Sequence, residues 1–273
     1  MLRARLEPLV KRLIRRRMLA GRFDSTTFEL QPAATPQTPA QPVLMCLWNR
    51  PGRLGDVLEM LDAQTGTPGG VELYLWNNNK LDHEHYLGVL RAATASGALQ
   101  RVHIVRTPYN LGSMARWYQA RAIARIQGPG PVIVIDDDEN LEPGFVATAL
   151  AHYAPKSIHA WWAWQVKGAY FDRVEAAEGD PIDHVGPGGS VTDSSLFLDD
   201  RFFTTMPERF WMLDDLWLTW YAKKAGWSLE KLPVHIEFVL HETNQYHAQI
   251  DLKQEFFEYL YGAPGESLTT NTP

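Results

Sequence analysis

Val132-Ile133-Val134-Ile135-Asp136-Asp137-Asp138-Glu139-Asn140-Leu141-Glu142-Pro143-Gly144-Phe145 is the stretch whose reading decides the fold. Four β-branched residues in a row, preceded by Gly128-Pro129-Gly130-Pro131, predict a buried strand. The run then breaks into four acids, and burying a lone ionised carboxylate costs more than local packing returns. The strand must therefore end at a surface or a cleft, with dense negative charge at its carboxyl end. In open α/β sheets that edge is where ligands bind. Hard divalent cations take carboxylate oxygens, and Mg²⁺ is commonly held by one or two carboxylates plus substrate phosphates. The stretch predicts a metal–diphosphate site; its plainer reading is an acidic turn that solubilises a loop.

Outward from this strand the pattern alternates. Val43–Trp48 predicts a strand, and Leu54, Val57, Leu58 and Leu61 follow at i, i+3, i+4, i+7, a helix ending near Thr65-Gly66. Val71–Trp76 predicts a strand, residues 83–95 a helix, Val102–Val105 a strand and residues 112–126 a helix. A helix over 144–153 follows the acid-tipped strand. Repeated strand–helix units imply an α/β fold with a mostly parallel central sheet flanked by helices. Further on, Ala160–Gln165 predicts a strand beneath Trp161, Trp162 and Trp164, a cluster that suits core packing or the stacking of sugar rings. Residues 172–193, with Gly186-Pro187-Gly188-Gly189, predict a loop excursion over a substrate. A helix over 213–225 opens on Asp214-Asp215 and stops at Gly226. Strands Trp227–Leu232 and Val234–Leu240, a His-rich turn and a helix around 251–261 complete the pattern.

Composition narrows the function classes. The 273 residues are 45% apolar and 21% charged, ordinary for a globular protein. The net charge of -6 hides an asymmetry. Residues 1–22 hold eight Arg/Lys against Glu7, or +7, so the remainder is near -13. That balance argues against nucleic acid as a partner of the body. No apolar run is long enough to span a bilayer, and no signal peptide is visible. The lone Cys46 sits in an apolar run and reads as a small buried hydrophobe. A cytoplasmic location is expected, with peripheral contact at the inner face of the membrane as an option. Leu6, Leu9, Val10, Leu13, Ile14 and Leu19 recur at helical spacing among the basic residues of 1–22. Two readings stand: a helix on an anionic membrane surface, or one docked on the body with a solvated basic face. Residues 1–30 are thus an amino-terminal extension, 31–42 a Pro-rich linker, and 263–273 a flexible tail.

Four polar sets fall after successive strands: Asn49-Arg50-Pro51, Asn77-Asn78-Asn79, Asn110-Leu111-Gly112-Ser113-Met114-Ala115-Arg116 and Asp136-Asp137-Asp138. In this order, with Pro143-Gly144 and the later Leu213-Asp214-Asp215 helix ending at Gly226-Trp227, the chain resembles the GT-A glycosyltransferases, most closely the broad family-2 type. The likeness covers roughly residues 43–245. It implies a Rossmann-like GT-A fold, with a nucleotide-sugar-binding half (43–165) and an acceptor-binding, catalytic half (166–262). It also implies Mn²⁺ or Mg²⁺ as cofactor. Partners would be a nucleotide-sugar donor, a UDP-sugar first, and a carbohydrate or glycolipid acceptor.

Carried onto this chain, the resemblance makes Asn49, Arg50, Asn77, Asn79, Asn110, Gly112, Arg116, Asp136 and Asp137 donor-binding residues. Asp138 becomes the direct metal ligand, with Asp136 sharing the ion or the donor sugar. Asp137 is expected to turn away, since alternate strand residues face opposite sides. His241 would complete the metal site, with His247 as the alternative. Asp215 is the implied general base, and Asp214 orients the acceptor or shares the task; an N-cap is the ordinary role of either. Two departures stand out: Asn77 occupies the place of a common base-contacting Asp, and the acidic pair is Asp-Asp rather than Glu-Asp. Inverting transfer is the leading expectation. A retaining exostosin-like transferase, a sugar-nucleotide nucleotidyltransferase and a non-catalytic carbohydrate-binding domain are the alternatives. Asn49-Arg50-Pro51-Gly52-Arg53 makes a thin match to the Gly-rich basic signature of the nucleotidyltransferases.

Overall fold

The strand expected at 132–135 is found at Pro131–Val134, inside an eight-stranded sheet. The computed structural model describes residues 2–31, 38–107, 109–239 and 249–262. In chain order the first half contains α1 (Leu2–Leu19), β1 (Ser25–Glu29), β2 (Gln41–Leu47), α2 (Leu54–Asp62), β3 (Val71–Asn77), α3 (His83–Ala92) and β4 (Leu99–Arg106). It continues with α4 (Ala115–Gln127), β5 (Pro131–Val134), β6 (Glu139–Leu141) and α5 (Phe145–His152). The second half adds β7 (Ser157–Ala160), β8 (Ala163–Val166), β9 (Arg173–Glu175), β10 (His184–Val185), β11 (Ser190–Asp193) and α6 (Asp200–Thr204). It ends with α7 (Asp214–Lys224), β12 (Ser228–Lys231), β13 (Ile236–Phe238) and α8 (Ile250–Tyr261).

The large sheet runs β1-β4-β3-β2-β5-β11-β7-β12. Strands β4, β3, β2 and β5 are mutually parallel, and β7 and β12 share their direction; β1 and β11 run against them. The sheet is therefore mixed but mostly parallel. Its central strands are apolar on both faces because helices cover both. Val43 and Met45 pack with α2, α3 and α5 on one face, while Leu44 faces the other core, built around α4 and α7. Each helix fits its own spacing. Leu54, Val57, Leu58 and Leu61 are the buried stripe of α2. At the end of α7, Gly226 (φ +74°) closes a Schellman turn, its N–H donating to the Lys223 carbonyl and that of Trp227 to the Ala222 carbonyl.

Three expectations need correction. First, the amino-terminal extension at 1–30 carries a strand that the sequence did not announce: β1 adds antiparallel to β4 with Thr26 opposite Ile104 and covers an otherwise open edge. Second, Ala160–Gln165 is not one strand. The chain turns at Trp161-Trp162, leaving β7 in the large sheet and β8 in a three-stranded sheet with β9 and β10. Third, residues 172–193 are not only a loop. They supply β9 and β10, and β11 lies fully buried between β5 and β7. Ser190-Val191-Thr192-Asp193 is too short and too polar to announce a core strand, yet its backbone bonds on both sides hold it there.

Among the described residues, no helix is long and apolar enough to cross a membrane. Half of the Pro-rich segment (32–37), the His-rich turn and the tail at 263–273 lie outside the described residues.

Candidate functional site

The sheet order creates one special boundary. From β2 the chain steps outward to β3 and β4, then returns to place β5 on the other side of β2. The connections after β2 and β5 thus diverge, and at such a switch point an α/β sheet opens a crevice beyond the carboxyl ends of its strands. A cleft of about 310 Å³ lies there, lined by Trp48, Asn49 and Arg50 after β2 and by Asp136, Asp137 and Asp138 after β5. Ser113 and Arg116, Pro187, Met212, Asp214 and Asp215, and Gln249 and Lys253 close it.

Arg50 spans the switch point. Its guanidinium donates to Asp137 Oδ1 at 2.6 Å and stands 3.2 Å from Asp138 Oδ2. Asp137 was expected to turn away; it is buried, but against Arg50 and still at the cleft wall. Burial pushes its carboxyl up to about 6, even with Arg50 alongside. Arg53 grips the same turn through backbone, donating to the carbonyls of Asp137 and Glu139. Behind them Glu139 is fully buried, its Oε2 accepting from the Asp136 N–H at 2.9 Å. Burial first, then the charge of Asp136, raises the Glu139 carboxyl well above its usual range. The same two causes raise Asp138.

Arg116 joins the two acidic sets. From the start of α4 its Nη1 donates to Asp136 Oδ1 at 2.7 Å, and its Nε lies 3.3 Å from Asp214 Oδ2. It is 3% exposed, so this is a buried bridge and not a surface pair. Asp214 also accepts from Trp117 Nε1 at 2.8 Å. It is therefore not a helix cap; at the amino end of α7 it is Asp215 Oδ1 that accepts from a first-turn N–H, that of Leu216, at 2.9 Å. Burial raises the Asp214 carboxyl against the pull of Arg116.

Asp215 has different company. Its Oδ2 takes hydrogen bonds from Lys253 Nζ at 3.0 Å and Tyr170 Oη at 3.2 Å. Burial is the largest single influence and pushes this carboxyl up, but the Lys253 charge, the neighbouring His184 and the hydrogen bonds from Lys253 and the Leu216 N–H together hold Asp215 well below the usual range. His184 lies 4.0 Å away, and burial drives its imidazole down to about 3. It is neutral near pH 7 and adds no charge there.

The asparagines serve the walls. Asn77 is fully buried, its amide against His83 Nδ1 at 3.2 Å and its Oδ1 accepting from the Asn79 N–H. Asn79 caps the turn at 80–82 and bonds Asp82. Asn78 ties two loops together, donating to the Gly112 carbonyl and accepting from the Leu111 N–H. Asn110 Oδ1 accepts from the Gly112 N–H, and Gly112 (φ +64°) sits where a Cβ would meet Met212 Sδ at 2.6 Å. Of the expected donor-binding residues, Asn49, Arg50, Arg116, Asp136 and Asp137 line the cleft, whereas Asn77, Asn79, Asn110 and Gly112 shape the loops beside it. His241 and His247 lie outside the described residues.

No family model matches the chain, and no curated protein matches it.

Several cleft residues escaped the sequence reading. Lys253 sits on an ordinary amphipathic helix, with nothing in its neighbours to mark it. Glu139 was visible as part of an acidic run but not as its buried member. By contrast, the Gly186-Pro187-Gly188-Gly189 segment, expected over a substrate, does reach the cleft through Pro187, and a Cβ on Gly188 would press on Glu139 Oε1 and lie 2.6 Å from Asp136 Oδ2. The Trp cluster is half-buried and largely self-stacked, with Trp162 and Trp164 at 5.0 Å and Arg173 over Trp164.

Proposed function

We propose that this chain is a metal-dependent glycosyltransferase of the GT-A type. It would move a sugar from a nucleoside-diphosphate donor, a UDP-sugar first, to an acceptor hydroxyl with inversion. The observation that carries the reading is the meeting of Asp136–Asp138 with Asp214-Asp215 in one switch-point cleft, cross-linked by Arg116.

The residues suit a divalent ion. Five aspartates line the cleft against three cations, Arg50, Arg116 and Lys253, leaving two negative charges in excess when all are ionised. Burial first, and the negative charge of Asp136 second, raise the carboxyls of Asp138 and Glu139. Among the described residues, no group of three or more His, Cys, Asp or Glu forms a ready-made cage. A divalent ion here would rest on one or two carboxylates and be completed by substrate phosphate. Asp138 and Asp136 would hold Mn²⁺ or Mg²⁺, which supplies Lewis-acid stabilisation of the departing diphosphate.

The chain's own groups do the rest. Arg116 and Arg50 fix the acidic turn and add positive charge beside the leaving group. The acceptor oxygen bonds to the anomeric carbon as the carbon–phosphate-oxygen bond breaks, and that electron pair leaves with the nucleoside diphosphate. The acceptor's proton passes to Asp215, which Lys253 keeps ionised while lowering its basicity.

Calorimetry tests the reading. UDP, GDP and their sugar conjugates are titrated with Mn²⁺ or Mg²⁺, then with chelator, on the wild type and on Asp138→Ala. Metal-dependent binding of one nucleotide, lost in the variant, is expected; no nucleotide binding under any condition overturns the proposal. Asp215→Asn should keep donor binding and lower transfer by about 10²–10⁴-fold, and the anomer of the product reports inversion.

A further inference from the structure

Among its described side chains, helix α1 has two apolar faces, and one of them packs on the body. Met18 is buried, and Ile14 and Leu19 pack against the core that surrounds α4. Arg15 is clamped, its guanidinium 3.7 Å from the Trp211 ring and 2.8 Å from Glu208. The carbonyl of Leu19 accepts from Arg121 Nε and Arg125 Nη1, both at 3.0 Å. These contacts fix the roll of the helix. Leu9, Val10 and Leu13 are consequently turned outward, 56%, 50% and 59% exposed. Arg12, Arg16 and Arg17 flank them in the open.

We propose that this outward face of α1 docks the protein on an anionic lipid bilayer. Three large apolar side chains between arginines match the profile of a helix lying in the headgroup layer. Charge selects the occupant. The +7 of residues 1–22 is drawn to anionic headgroups, while the remainder, near -13, is repelled, so this face alone can land. A second copy meeting it face to face would oppose two strongly positive segments. A nucleic acid would leave the leucines without an apolar partner. The inward side of the helix meets the reading of a helix docked on the body, and the proposal assigns the membrane-surface reading to its outward side. The docked side also touches the site: Trp211, under Arg15, precedes Met212 in the cleft wall.

The test is co-sedimentation of the full chain with vesicles of phosphatidylcholine alone or mixed with phosphatidylserine, without nucleotide or metal. It is thus independent of the chemistry proposed for the cleft. Wild type should bind the phosphatidylserine vesicles at least about tenfold more tightly, and added salt should weaken binding. Leu9→Glu with Leu13→Glu, and separately Arg12→Glu with Arg16→Glu, should each reduce binding at least about tenfold. All four positions are exposed, so thermal unfolding should be unchanged and separates lost docking from lost fold. Absence of binding, equal binding to both vesicles, or binding that survives both double substitutions overturns the proposal. So does a dimer in sedimentation velocity that the leucine pair dissociates while lipid binding is unaffected.

Discussion

Asp215 Oδ2 stands 3.0 Å from Lys253 Nζ, so the carboxylate expected to accept the proton is held by a cation from the carboxyl-terminal helix. Both side chains are largely withdrawn from water, and removing one member of such a pair strands the other. Lys253→Met should cost about 3–5 kcal/mol at pH 7 by urea unfolding. The pH dependence carries the sign. Asp215 is depressed in the folded protein, so its contribution is present above the ordinary carboxylate range and is lost as pH falls below it. Lys253→Met should flatten that acid limb, and adding Asp215→Asn should return part of the loss.

Glu139 should behave in the opposite sense. Its raised carboxyl means the folded state holds the proton more tightly than the unfolded one. Its contribution is thus complete at low pH and is lost as pH rises from the ordinary Glu range toward the raised value. Glu139→Gln keeps an oxygen for the Asp136 N–H and removes the charge. In chelator, urea midpoints from pH 5 to about 8 should fall less for the variant than for wild type. A parallel decline in both proteins contradicts the assignment.

At Gly188 an added Cβ would meet two carboxylate side chains. Gly188→Ala places a methyl against Glu139 and Asp136 and should cost about 1–3 kcal/mol, with weaker nucleotide binding. Gly88→Ala in α3 is the control. Nothing lies within 4 Å of its added Cβ, and the change should stabilise by about 0.5–1 kcal/mol. Thermal unfolding of the two variants measures the contrast.

Arg116 and Asp214 should be strongly non-additive. Arg116→Lys provides one compact charge where the fork now meets Asp136 and Asp214 together, so it should lose about 1–3 kcal/mol despite the kept charge. A double-mutant cycle of Arg116→Met with Asp214→Asn should give a coupling of about 1–3 kcal/mol. A coupling near zero would mean that the bridge contributes nothing.

Periodicity made the first half legible. The parallel core announced itself because β2, β3 and β5 are apolar on both faces, and α2 because its buried residues repeat at helical spacing. The acid-tipped end of β5 was legible for the same reason, since charge after a buried strand has few places to go. The failures have one physical cause, long-range backbone pairing. β11 is four residues with one large apolar side chain, and only its neighbours β5 and β7 make it a core strand. β1 is largely exposed and polar, and only the free edge of β4 gives it a role. Lys253 is likewise defined by what faces it.

Placing β11 between β5 and β7 has a further consequence for biogenesis. Val134 pairs with Ser190, so everything between them is looped out from two strands that must become neighbours. During synthesis β5 emerges first and presents an unpaired, strongly apolar edge until β11 leaves the ribosome. Such an edge is a template for misassociation. The acidic turn lies inside that loop, and Gly188 comes up against Asp136 and Glu139 only when the loop closes. Nascent chains ending before Ser190 should therefore depend on chaperones, and should acquire protease resistance abruptly once residues 190–193 are free to insert.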